Sequence, residues 1–199
     1  MNKYIAIIRT EVVPLLVILV LVTAMRSSLA DHYHVPSGSM EYSLQVGDRL
    51  VVDKTAYGVR LPYTKIDLVD MDSPARGDVV IFDSPLDGDL LVKRVVAVGG
   101  DTVSLSKGRV LVNGKFVADP PGMVVERFND HVATLNLKSG GGPDILTTRV
   151  PQGKLLVLGD HRGNSIDGRY FGFIDEHELY GRVLAVYYRR GEGLLWKKL

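Results

Sequence analysis

Fourteen consecutive residues, Val12 to Met25, carry no charge and read VVPLLVILVLVTAM, with Glu11 and Arg26 at the edges and Lys3 and Arg9 upstream. A spanning helix takes about 20 apolar residues, whereas the core of a secretory signal takes about 7 to 15. The run reaches about 18 residues if it continues to Leu29 with Arg26 snorkelling to the far interface. Pro14 is tolerated because it lies in the first turn. The expected element is one uncleaved transmembrane helix closing residues 1–30, which begin as a cytoplasmic stub. Ser28-Leu29-Ala30 as the cleavage site of a removed signal peptide is a second reading, and a buried core helix is a third. Lys3 and Arg9 place the N-terminus on the cytoplasmic side, so the first two readings export everything beyond about residue 30.

Past Asp31 the pattern changes. Short runs of Val, Ile, Leu and Tyr alternate with Gly, Pro and Asp clusters, which predicts a mainly β body without further helices. The spacing predicts strands over Arg49 to Asp53, Asp78 to Phe82, Leu90 to Val98, Thr102 to Leu105, Arg109 to Val112, Lys115 to Val117, Lys154 to Leu158 and Arg182 to Tyr188. Asn113-Gly114 supplies the two positive φ angles of a type I′ hairpin turn. Residues Asp119 to Pro143, with Pro120-Pro121 and Gly140-Gly141-Gly142, read as a peripheral excursion. The expectation is an antiparallel β core over 31–105 and 149–199, interrupted by a small inserted β region over 106–148. Trp196-Lys197-Lys198-Leu199 reads as a solvated, frayed tail, with contact to a lipid surface as the other reading.

Composition removes several classes of function. The 24 Lys and Arg balance 23 Asp and Glu to a net charge of +1, so no global field recruits nucleic acid. The absence of cysteine excludes disulfides, thiolate metal sites and a cysteine nucleophile. His32, His34, His131, His161 and His177 are scattered without HExxH spacing, and no metal or other cofactor is expected. Ser104-Leu105-Ser106-Lys107 matches SxxK formally, but Ser106-Lys107-Gly108 reads as a turn between strands, where that motif does not operate.

Three blocks carry more. Pro36-Ser37-Gly38-Ser39-Met40 puts two hydroxyls around a glycine, which lets backbone approach a ligand. In Leu91-Val92-Lys93-Arg94-Val95-Val96 two cations lie inside an apolar strand, and alternation sends them to opposite faces, so one points inward. A buried lysine loses its proton more readily and can act as a general base toward a serine. The third block, Gly159-Asp160-His161-Arg162-Gly163-Asn164-Ser165-Ile166-Asp167-Gly168-Arg169-Tyr170-Phe171-Gly172-Phe173, is dense in polar groups and glycine.

In this order, the patterns PSGSM, KRVVxxxGD and GDxRxNSxDxRYxGF resemble the bacterial type I signal peptidases, or leader peptidases, over about residues 33–188. The resemblance implies a membrane-anchored antiparallel β enzyme with Ser39 as nucleophile and Lys93 as general base. It also implies an oxyanion hole from the Ser37 hydroxyl and the Ser39 N–H, Ser165 orienting the lysine, and a supporting Asp167–Arg169 pair. Substrates would be preprotein signal peptides cut after small-x-small sequences, from an enzyme held in the inner membrane with its catalytic part outside. Val35, Pro36, Met40, Leu44 and Val92 are the candidates for the substrate pocket.

The chain departs from the family pattern in places. Tyr42 and Ser43 stand where a proline and a threonine are usual, Gly99-Gly100 replaces Pro-Gly, and Gly163 and Gly168 stand where Asp and Ser are commoner. Many relatives carry a second transmembrane helix, and one is visible here. The alternatives are a Ser-Lys peptidase dedicated to a pilus or conjugation system, and a non-enzymatic exported β-sandwich binding module.

Overall fold

The computed structural model describes residues 11–18, 30–60, 67–70, 72–118 and 124–199. Residues 13–18 are helical with exposed apolar side chains. The remainder of the expected anchor and the stub before it lie outside the described residues. Among the described residues no helix is long and apolar enough to cross a membrane.

From residue 30 onward the chain is mainly β. Its first strands are β1 (Ala30–His34), β2 (Arg49–Asp53), β3 (Gly58–Arg60), β4 (Asp67–Asp70), β5 (Val79–Asp83) and β6 (Leu90–Val98). Next come β7 (Thr102–Ser106), β8 (Arg109–Val112), β9 (Lys115–Phe116), β10 (Val125–Phe128), β11 (His131–Thr134) and β12 (Ile145–Arg149). The last are β13 (Lys154–Leu158), β14 (Ile174–Asp175), β15 (Leu179–Arg189) and β16 (Gly193–Lys198), with one short helix, α1 (Gly168–Phe171), between β13 and β14.

The main sheet runs β1-β2-β15-β5-β6-β13-β14, with β16 also on β15, and all its pairings are antiparallel. Its central strands are buried on both faces, which accounts for their unbroken apolar runs. Val79 and Ile81 pack with Leu50, Val52 and Val183, while the alternate residues Val80 and Phe82 pack with Val157, Ile174 and Leu179. Both kinds of face therefore bury apolar surface, roughly 1.5–3 kcal/mol for each large side chain. The small sheet, β12-β7-β8-β9, joins β7, which ends at Ser106, to β8, β9 and β12 from the two ends of the 106–148 segment. Its inner residues Val103, Leu105, Val110 and Val112 close a third cluster against Val96, Leu156 and Leu158.

Lys107 and Gly108 have φ of 50° and 77°, and Asn113 and Gly114 have φ of 52° and 75°. Both pairs form tight hairpin turns, so the formal SxxK match lies on a turn, away from any helix. The C-terminal residues are not frayed: β16 pairs with β15 from Arg189↔Gly193 to Ala185↔Lys198. The Gly-rich tract lies at the surface and packs closely on its inner side. A Cβ on Gly141 would lie 2.2 Å from the Lys107 carbonyl carbon, and one on Gly163 would lie 2.1 Å from Ser139 O. The tract is pressed between the β7–β8 turn and the loop after β13, and this contact explains why Gly163 stands where a larger residue is commoner.

Candidate active site

Three segments converge on one place: the 3-10 turn Gly38–Met40 after β1, the middle of β6, and the loop that leaves β13 at Leu158. Met40 anchors the turn with 1% of its surface exposed, packed in the cluster of Val35, Leu44 and Leu50. That packing leaves Ser39 half-buried at the turn's centre.

On β6, Lys93 stands opposite Val80 and Arg94 opposite Val79, so the adjacent cations face opposite sides of the sheet. Sequence alternation required one to point inward; both are buried, because packed side chains cover the strand on each side. Lys93 Nζ lies 2.8 Å from Ser39 Oγ. Burial pushes the Lys93 ammonium down to about 8, with the Arg169 guanidinium acting in the same direction and the Asp167 and Asp160 carboxylates opposing. A lysine in that state is about one-tenth neutral amine at pH 7 and about half at pH 8, directly against a hydroxyl.

Ser37 Oγ donates to Ser39 Oγ at 3.4 Å, and Ser37 is exposed. Ser165 Oγ is buried and, among the described residues, has no hydrogen-bond partner. It sits close to the Ser39 turn: a Cβ on Gly159 would meet Ser165 Oγ at 2.3 Å and Ser39 O at 2.5 Å, so only glycine fits between them. Asp167 and Arg169 form a fully buried bidentate pair, Nε to Oδ1 and Nη2 to Oδ2, both at 2.8 Å. Asp167 also accepts from Gly159 N at 2.9 Å and caps α1, while Arg169 Nη1 donates to Gly141 O at 2.7 Å. The pair therefore fixes the loop's shape around its glycines.

The five pocket candidates differ in what they present. Val35, Met40 and Leu44 are 3%, 1% and 0% exposed and lie in the core beneath the turn. Pro36 is exposed and Val92 half-buried, packed against the same cluster.

Two groupings escaped the reading of the sequence. Arg94 donates to Asp160 through Nε at 2.9 Å and Nη2 at 2.8 Å, to Ser43 Oγ at 3.1 Å and to Gly77 O at 2.7 Å. Ser43 in turn donates to Asp160 Oδ2. This hydroxyl does what a threonine hydroxyl could do at the same place, so the departure at Ser43 leaves the network intact. The second grouping is the pair of Arg162 and Glu126, 2.5 Å apart and with both side chains inaccessible, which ties the loop after β13 to the β10–β11 hairpin. Arg162 Nη1 also donates to Gly108 O. Alternation showed that one of the two cations points inward, but nothing local points to a carboxylate 66 residues away from Arg94.

Comparison with known proteins places the chain in context. Residues 8–188 match the family model described as signal peptidase, peptidase S26. Signal peptidase I of Pseudomonas aeruginosa is 33% identical over 196 residues, an alignment covering 85% of this chain and 69% of that protein. A probable signal peptidase I-2 of Synechocystis is 31% identical over 177 residues, covering 83% and 66%. Signal peptidase I of Aquifex aeolicus is 29% identical over 230 residues, covering 90% and 84%. The chain thus spans about two-thirds of the length of the first two relatives.

Proposed function

The chain belongs to the signal peptidase family, peptidase S26, as a serine endopeptidase, and we propose that it removes signal peptides from exported preproteins with Ser39 as nucleophile and neutral Lys93 as general base. The observation that carries this reading is the 2.8 Å contact between Lys93 Nζ and Ser39 Oγ, made by a buried amine.

The neutral amine takes the Ser39 proton as Oγ attacks the scissile carbonyl. The Ser37 hydroxyl and the Ser39 N–H then face the developing oxyanion, where charge exists only in the transition state. Lys93 passes its proton to the departing amine, and later takes one from the water that attacks the acyl-enzyme ester. Ser165, whose buried hydroxyl lacks a partner among the described residues, is suited to hold the amine once it is neutral. Asp167 and Arg169 hold the loop that carries it.

The substrate runs as an extended strand, so the residues one and three before the cut face one wall. Pro36 and Val92 present that wall, and Val35, Met40 and Leu44 back it. Residues 1–30 anchor the enzyme in the inner membrane with the N-terminus in the cytoplasm, and the bilayer keeps the substrate's apolar segment close. The segment 106–148 is an inserted region that braces the loop after β13 through Glu126 and Gly141.

The test is cleavage of a preprotein in detergent. Ser39→Ala should fold and bind precursor with kcat reduced far below a tenth of wild type. Retention of more than a tenth, only about 1.4 kcal/mol of lost transition-state stabilisation, would overturn the assignment.

A further inference from the structure

His161 lies in the loop after β13 and touches the nucleophile turn twice. Its backbone N–H donates to Ser39 O at 3.1 Å. Its ring Nδ1 lies 3.2 Å from Gly38 O and 3.4 Å from Glu41 Oε2. Both of these are acceptors, while the Asn136 amide nitrogen lies farther off at 3.5 Å, so the shorter contacts assign the hydrogen to Nδ1. On the other side of the ring, Nε2 lies 3.2 Å from Ser139 Oγ. A hydroxyl donates to a neutral imidazole and accepts from an imidazolium, so this pocket satisfies the ring in both charge states. Asn136 Nδ2 lies 3.4 Å from Glu41 Oε2 and fixes the carboxylate from the third side. His161 itself is 8% exposed, while Glu41 and Ser139 reach the surface.

The Gly38 carbonyl belongs to the same peptide unit as the Ser39 N–H. A hydrogen bond donated to a peptide oxygen polarises the unit and makes its N–H a stronger donor. We propose that His161 is a positioning residue for this peptide: by gripping Gly38 O and the Glu41 carboxylate it orients and polarises the Ser39 N–H toward the oxyanion. The inference rests on the reading of Ser39 as nucleophile and deepens it.

Glu41 is the charged group facing the ring from the turn, and Asn136 and Ser139, which face it from the segment after β11, are neutral. In its own loop Asp160 is bound to Arg94 and Arg162 to Glu126, while Lys138 lies over the Tyr42 ring.

The experiment measures kcat and KM for preprotein cleavage in detergent by the full chain, its His161→Ala and His161→Asn variants, and Ser39→Ala. His161→Ala should lose about 10- to 100-fold in kcat with KM within about threefold, as expected for a weakened oxyanion donor. In His161→Asn the amide nitrogen stands near the place of Nδ1 and donates to the same acceptors, so kcat should stay within about threefold. Neither variant touches the contact of Lys93 with Ser39, so the acidic limb of the kcat/KM profile should keep its midpoint in both. An Asn variant as impaired as His161→Ala, or wild-type kcat in a folded His161→Ala, overturns the inference; if His161→Ala melts below the assay temperature, His161→Leu, which fills the pocket without donating, takes its place. Cleavage by Ser39→Ala would instead overturn the underlying reading of the nucleophile.

Discussion

Lys93 and Arg94 are neighbours on β6, both almost fully buried and on opposite faces, and they meet opposite electrostatic surroundings. Arg94 is clamped by Asp160 through two hydrogen bonds. Lys93 bonds to the Ser39 hydroxyl, and among the described residues it forms no salt bridge. A guanidinium cannot shed its proton at these pH values, so its burial requires a bonded carboxylate. An ammonium can, and a site that denies it a bonded carboxylate favours the amine. Two adjacent cations thus differ in proton affinity because the sheet sends one toward a carboxylate, which holds its charge, and the other toward a hydroxyl, where burial makes the proton easier to lose.

The rate should carry the mark of that difference. A protonated Lys93 cannot accept the Ser39 proton, so kcat/KM should climb about tenfold per pH unit and level off above about 8. Lys93→Arg should be inactive, since guanidinium stays charged. A preprotein cleavage profile whose acidic limb is unchanged in Lys93→His, or an active arginine variant, would remove Lys93 from the base role.

Stability should carry it too, with the following sign. The ordinary lysine value is 10.5 and burial lowers it in the native state to about 8, so between those values the unfolded chain holds a proton that the native chain has lost. Unfolding then takes up a proton, and native stability rises with pH across that window. The shift corresponds to about 3 kcal/mol, present as a penalty below pH 8 and absent above 10.5. Lys93→Met should therefore raise stability near pH 7 by up to about 3 kcal/mol and by much less near pH 10, as read from urea unfolding at the two pH values. A variant less stable than wild type at pH 7 would contradict burial as the cause of the shift.

What the sequence disclosed follows from how local each signal is. β2, β6, β8 and β13 were legible to the residue because apolar runs there end at turn residues, and Asn113-Gly114 marked its hairpin. β12 was not, since Leu146 is 89% exposed and the strand exists through its pairing with β7, not through a buried face. β16 was hidden for a similar reason: its residues Gly193 to Lys198 alternate between exposed and half-buried, and only the ladder with β15 orders them. At the candidate site, alternation identified Lys93 and Arg94 as a problem of burial. Ser39, 54 positions from Lys93, was paired with it only through the resemblance that PSGSM and KRVV carry, whereas Asp160, 66 positions from Arg94, depends on sheet order, which no short pattern encodes. The contact of His161 with Gly38 spans 123 positions and was invisible for the same reason.

The Arg94 network gives a prediction about removing one partner. Asp160→Asn keeps the shape of the side chain but leaves the guanidinium, 1% exposed, without its carboxylate. Loss of one member of a buried pair costs about 3–5 kcal/mol, whereas replacing both members by apolar residues of similar volume costs far less. Denaturant unfolding of Asp160→Asn, Arg94→Met and the double variant Arg94→Met/Asp160→Leu should show strong non-additivity. Additive losses would mean that Arg94 and Asp160 contribute independently. Ser43→Ala should cost less, about 1–2 kcal/mol, because Asp160 keeps both Arg94 contacts.

Substrate preference follows from strand geometry at the turn. An extended substrate points the residues one and three before the cut to the same side, and the residue between them away. The wall proposed for that side is formed at the surface by Pro36 and Val92 and backed by Met40 and Leu44, which are 1% and 0% exposed and cannot retreat without opening the core. A rigid backing rejects added volume: each extra methylene forced into it should cost about 1–3 kcal/mol, or roughly 10- to 200-fold in kcat/KM. Ala to Val or Leu at either position should therefore cut cleavage sharply, while the same change at the middle residue should alter it by less than about threefold. Enlarging the wall with Val92→Ala should relax the restriction at one of the two positions. The measurement is kcat/KM for a preprotein series varied one position at a time. Equal processing of Leu and Ala directly before the cut, or strictest selection at the middle residue, would refute an extended substrate lying against this wall.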